Sequence, residues 1–105
     1  MKTLTMAELH QATRTLGSED LVLDVRTPGE FAEGRVPGAR NIPVDSLLDH
    51  TAEVIGKRTV YIYCRSGGRA VMASQILGSL GAQDLRCVDR GGFPDWQLLG
   101  LPVER

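Results

Sequence analysis

The stretch from Thr59 to Leu80, TVYIYCRSGGRAVMASQILGSL, limits what this chain can fold into more than any other. Thr59 to Tyr63 is apolar and β-branched or aromatic, the composition of a buried parallel strand. Ala70 to Leu80 carries Ala70, Ala73, Ile76, Leu77 and Leu80, a stripe that predicts a helix too broadly apolar to lie on a surface. Between them sits Cys64-Arg65-Ser66-Gly67-Gly68-Arg69, a thiol at the carboxyl end of a strand. Ligands of open α/β sheets bind at that edge. The rest of the chain is expected to support this loop.

With 105 residues there is room for one core, so residues 1–105 are expected to form one domain. A content of 42% hydrophobic and 24% charged residues argues against disorder and against a membrane span. A net charge of −1 offers no global attraction for nucleic acid or anionic lipid, so any anion site must be local. The opening MKTLTMAELH lacks the apolar core and cleavage site of a secretory signal, and the expected location is cytoplasmic. Two cysteines are too few for a disulfide scaffold, and two histidines far from any Cys pair give no metal pattern. No cofactor is implied.

In chain order, Thr3-Leu4 reads as a short edge strand, and Thr5-Met6-Ala7-Glu8 as a capping box. The helix it opens puts Met6, Leu9, Thr13 and Leu16 on one face, leaves His10 on the solvated side and stops at Gly17. Leu21 to Val25 is a second continuous apolar run, predicted to be a central strand, with Asp24 breaking it just before Arg26. Thr27-Pro28-Gly29-Glu30 starts a short helix that Gly34 closes. Asn41 to Pro43 predicts a short strand, Val44 to Leu48 a short helix, and His50 to Lys57 a second helical turn. After the central helix, Gly81 is a stop, Leu85 to Val88 a last strand, and Gly91-Gly92 a loop into a final helix through Leu99. Strands and helices alternate about five times. The expected fold is α/β, with a central parallel five-stranded sheet and helices on both faces.

A thiol is nucleophilic as thiolate, and three features of the loop favour that form. Ser66-Gly67-Gly68 has no bulk to keep backbone amides away, so they can curl into an anion nest. The following helix adds the positive end of its dipole, and Arg65 and Arg69 add two cations. Taken alone, a cysteine ending a buried strand is ordinarily a small core residue, and Gly-Gly before a helix is ordinarily a turn. Their combination with two arginines makes a site the better reading. No histidine is near in sequence, which disfavours a Cys-His hydrolase and suits an easy leaving group or sulfur exchange.

The motifs also resemble a known family. Cys64-Arg65-Ser66-Gly67-Gly68-Arg69 is similar to the active-site loop of single-domain rhodaneses. Asp24-Val25-Arg26, Glu30-Phe31 and Gly34 through Pro43 follow the family's DVR…E-F/Y…G-H-I-P-G-A-x-N-I-P signature, and Gly91-Gly92 with Trp96 its GG…W element. The departure is Arg35 with Val36, where the family usually has His and Ile. The resemblance spans nearly the whole chain. It implies a rhodanese-like fold and a sulfurtransferase that moves a sulfane sulfur from thiosulfate or a persulfide donor to a thiol or cyanide acceptor. Cys64 would carry the sulfur as a persulfide. The amides of Arg65, Ser66, Gly67, Gly68 and Arg69 would cradle it, with Arg65 facing the anionic donor.

Two readings of Arg69 stay open: it binds substrate, or it pairs inward with an acid such as Asp24. Arg26 with Glu30 is expected to be a structural ion pair, so Asp24, Arg26 and Glu30 form the support. Trp96 is expected in the core and Phe93 in the pocket wall. Cys87 reads as core, the sharper alternative being a resolving thiol for Cys64. Two other functions compete. One is a non-catalytic binding module on the same fold, which the presence of Cys64 disfavours. The other is a phosphatase or arsenate reductase of the related fold, whose C-x5-R loop is one residue longer than C-x4-R here. A small anionic sulfur donor and a thiol or cyanide acceptor are the expected partners, and a sulfur-relay protein is a further candidate that differs in acceptor and not in chemistry.

Overall fold

The computed structural model describes residues 1–105 and contains one all-parallel sheet of five strands. These are β1 (Lys2–Thr3), β2 (Asp20–Asp24), β3 (Arg40–Asn41), β4 (Thr59–Tyr63) and β5 (Leu85–Cys87), arranged β1-β5-β4-β2-β3. The helices are α1 (Met6–Thr13), α2 (Pro28–Glu33), α3 (Thr51–Ile55), α4 (Gly68–Ser79) and α5 (Phe93–Leu98), with a 3-10 helix at Val44–Asp49.

Every residue of β4 is buried, as its unbroken apolar run demands for the middle of a parallel sheet. Side chains alternate across the sheet. Val60, Ile62 and Cys64 meet Ala70, Ala73 and Leu77 of α4 and Val54 of α3 on one face. On the other face, Tyr61 and Tyr63 meet Met6 and Leu9 of α1 and Phe93 and Trp96 of α5. Helices thus cover both faces, as the alternation of elements predicts.

Both expected capping boxes form. Thr5 Oγ1 accepts from the Glu8 amide at 3.1 Å, and Thr27 Oγ1 from the Glu30 amide at 3.2 Å. Four local expectations need adjustment. The helix after the loop begins at Gly68 and buries a narrower stripe, Ala70, Ala73, Ser74 and Leu77, leaving Leu80 and Met72 about half exposed. It covers the sheet with one face only. Helix α1 ends at Thr13, short of Leu16, which stays outside the core because the chain tightens into a turn at Arg14 and Thr15. His10 is not simply solvated: its ring stands edge-on to Trp96, centroids 5.5 Å apart. The third strand covers Arg40–Asn41, slightly before the predicted Asn41 to Pro43.

The strand order decides where the site lies. After β2 the chain moves out to the edge at β3, and after β4 it moves the opposite way to β5. The crevice of such a sheet opens where the order reverses, outside the carboxyl ends of β2 and β4. Those strands are neighbours, with Asp24 opposite Tyr63.

The orientation of α4 gives a direct check. Leu77→Ala, at a fully buried position, is expected to cost about 2–5 kcal/mol in urea unfolding, whereas Met72→Ala on the open face should change stability by under about 0.5 kcal/mol.

Candidate active site

Because β2 and β4 run side by side, Asp24-Val25-Arg26 and Cys64-Arg65 leave the sheet together. The loop after β4 then folds back over the sulfur. Cys64 Sγ accepts from the amides of Gly67 at 3.0 Å and Ala70 at 3.4 Å, and the residue is only 1% exposed. Two amide dipoles and the start of the twelve-residue α4 converge on this atom, an arrangement that receives a negatively charged atom. Arg65, Ser66 and Gly68 are exposed, Gly67 is buried and Arg69 is half-buried.

Two glycines make the loop possible. Gly67 has φ +109°, and a Cβ there would overlap the Asp89 carbonyl oxygen. A Cβ on Gly92 would run into the Cys64 carbonyl oxygen, while the Phe93 amide donates to that same oxygen at 2.9 Å. The glycine pair after β5 is therefore the mould against which the cysteine loop is set.

Beneath the loop lies a closed polar cluster. Arg26 Nη2 and Nε reach the Asp24 carboxylate at 2.7 and 3.0 Å, and the Arg26 amide adds a bond at 2.9 Å. Tyr63 donates its hydroxyl proton to Asp24 Oδ2 at 2.6 Å and accepts from the Val36 amide at 3.1 Å. Arg26 also donates to the Gly34 carbonyl at 2.7 Å and lies over the Phe93 ring at 4.5 Å. Burial and the adjacent Asp24 carboxylate push the Tyr63 hydroxyl far above its usual range, so it remains a donor.

The expected pairing of Arg26 with Glu30 therefore does not form, and of the two readings left open for Arg69 the inward pairing is the one present, with Glu30 as the acid instead of Asp24. Residues 24 and 26 stand on the same side of the extended chain leaving β2, so Arg26 takes the buried acid. Glu30, on α2, faces the first turn of α4 and holds Arg69 by two bonds, at 2.7 and 3.0 Å. Arg69 with its help from Thr27 keeps the Glu30 carboxyl low, at about 2, against partial burial. The four charges divide into two pairs, each tied to a different part of the loop's foundation.

Arg65 has no ion-pair partner. It lines a cleft of 230 Å³ with Arg26, Glu30, Glu33, Gly34, Phe93, Pro94 and Gln97. Phe93 is thus in a pocket wall as expected, and Trp96 is buried in the core. Tyr63, Glu33 and Gln97 escaped the sequence reading. Tyr63 could have been found, since a polar-tipped ring ending a buried strand needs a partner. Nothing in the local sequence marks the other two. Cys87 is fully buried, and burial pushes its thiol up.

Fold and loop together define a small parallel α/β domain that presents a cysteine in a glycine-rich anion cradle. Comparison with known proteins narrows this. The profile of the rhodanese-like domain matches residues 5–99, and the chain belongs to that family. A rhodanese-like domain protein from Staphylococcus aureus superposes with a TM-score of 0.84 at 30% identity, covering 100% of both chains. A sulfurtransferase of Allochromatium vinosum is 37% identical over 91 residues, 86% of this chain and 84% of that one. An HTH-type transcriptional regulator of Mycobacterium tuberculosis is 39% identical over 104 residues, 96% of this chain, which spans only 44% of its length. The family thus includes sulfurtransferases that this chain matches over most of their length.

Two outcomes follow from the supports. Because the Glu30 carboxyl is held at about 2 when folded against 4.5 ordinarily, its contribution is present above pH 4.5 and lost as pH falls through about 2. Glu30→Gln should flatten that part of the stability-pH curve, read by acid titration of circular dichroism. Gly67→Ala should cost well over about 1 kcal/mol by forcing the loop off Asp89, read by urea unfolding.

Proposed function

We propose that the protein moves a sulfane sulfur from thiosulfate or a persulfide donor, through a persulfide on Cys64, to a thiol or cyanide acceptor. The observation that carries this reading is the Cys64 sulfur held by two amides at the carboxyl end of β4 with no histidine beside it. His10 packs on Trp96, and His50 lies against Glu53 at 3.2 Å. A nucleophile supported only by N–H dipoles suits a reaction whose leaving group needs no protonation.

In the first half-reaction the Cys64 thiolate attacks the outer sulfur of thiosulfate. The new S–S bond forms as the old one breaks, and sulfite leaves with the bonding pair. Cyanide or a thiolate then attacks the outer sulfur, and the Cys64 thiolate departs with its electrons, so no external oxidant or reductant is needed. The amides that hold Sγ would stabilise the anion as it forms at each stage. Arg65, free of any acid, would hold the anionic donor at the cleft, while Arg69 would brace the loop through Glu30. Both cysteines are free, as a reducing cytoplasm would keep them. A protein acceptor in a sulfur relay would use the same chemistry.

The phosphatase alternative needs its loop arginine on the oxyanion. Here Arg69 is engaged by both oxygens of Glu30, and the loop is one residue shorter.

Thiocyanate formation from thiosulfate and cyanide tests the proposal, with a phosphatase substrate in parallel. Cys64→Ser should reduce turnover to background, and Arg65→Ala should raise the KM for thiosulfate about tenfold, near the worth of one charged hydrogen bond. Failure of the wild type to take up one sulfur on Cys64 from any donor, read by mass spectrometry, would reject the enzyme reading in favour of a non-catalytic module.

A further inference from the structure

The cleft that Arg65 of the cysteine loop lines with Phe93, whose amide bonds the Cys64 carbonyl, has a charge pattern that a simple anion site does not require. Four ionised side chains line it. Arg26 is neutralised by Asp24, and Glu30 by Arg69. The other two, Arg65 and Glu33, have no ion-pair partner and no side-chain hydrogen bond. Arg105 approaches Glu33 only through its main-chain carbonyl, to which Nε donates at 3.0 Å. One free positive and one free negative group therefore face a single cleft, and both side chains are long enough to turn toward a bound molecule.

Size points the same way. The cleft measures 230 Å³, room for more than one small anion. Thiosulfate would leave much of that space unfilled, and as a dianion it would be repelled by Glu33. A compact persulfide bearing one carboxylate and one ammonium group would match both charges. Phe93 and Pro94 offer the apolar wall that its carbon chain needs.

We propose that this cleft selects a zwitterionic amino-acid persulfide as sulfur donor, with Arg65 holding its carboxylate and Glu33 its ammonium group. Glu33 is then a specificity-determining residue. The inference rests on the sulfur-transfer reading and names its donor class. The step is the exchange already described: the Cys64 thiolate attacks the outer sulfur of the donor persulfide, the donor S–S bond breaks, and the amino-acid thiolate leaves with the electron pair.

The test compares the rate at which Cys64 gains one sulfur from three donors, followed by mass spectrometry. They are cysteine persulfide, its counterpart without the amino group (3-mercaptopropionate persulfide), and thiosulfate. The wild type should prefer cysteine persulfide over the desamino donor by about two- to fivefold, the range of an exposed ion pair. Glu33→Gln should erase that preference and raise loading from thiosulfate. In the wild type, the preference should also shrink as salt is raised from low ionic strength, a measurement that needs no variant. Equal loading from the amino and desamino donors, or a Glu33→Gln effect identical for all three, would overturn the assignment while leaving sulfur transfer intact. No loading of the wild type from any donor would overturn both.

Discussion

The Asp24–Arg26 pair is the constraint on which the rest of the structure depends. A carboxylate with no solvent exposure survives in a sheet only if its oxygens are occupied, and here three donors of Arg26 and the Tyr63 hydroxyl occupy them. Each donor comes from a place that must be held still. Arg26 reaches on to the Gly34 carbonyl at the end of α2, and Tyr63 takes the Val36 amide from the loop beyond it. The cluster thereby ties the carboxyl ends of two strands to the loop that borders the cleft. Such a pair adds little net stability compared with apolar packing, and its value is in geometry: misplacing any member leaves a buried charge uncompensated.

Above that foundation, the cysteine loop is held from three directions. The amides of Gly67 and Ala70 grip the sulfur, Glu30 pulls Arg69 toward α2, and the Gly91–Gly92 turn presses against the backbone of Cys64. The glycines are needed because carbonyl oxygens of one loop occupy the positions where Cβ atoms of the other would lie. Charge is used sparingly. Arg26 and Arg69 are spent on partners, whereas Arg65 has none and lines the opening. A domain of net charge −1 can in this way present a local site for a negatively charged molecule.

The departure at Arg35 has its own structural account. Its guanidinium bonds Glu104 at 3.1 Å and lies over the Phe31 ring at 4.5 Å, while its backbone forms a two-bond bridge with Glu104. The residue fastens the final segment to the loop after α2. Its contacts run to Glu104 and Phe31, and it does not line the cleft.

The amino-acid sequence by itself determined the elements and the placing of Cys64 at the carboxyl edge of the sheet. Unbroken apolar runs can only be central strands, Thr-x-x-Glu boxes open helices, and a cysteine between a strand and a Gly-Gly helix start stands at the ligand-binding edge. These are local matters, decided within a few residues of each other. Partner choice was not. Which acid meets Arg26 or Arg69 depends on β2 lying next to β4 and on α2 facing the first turn of α4, contacts between residues up to 39 positions apart. For the same reason, Glu33 and Gln97 carry no mark in the sequence: they reach the cleft only because α2 and α5 close on it from opposite ends of the chain. Local periodicity records the face a side chain takes, and only the folded topology decides what stands opposite it.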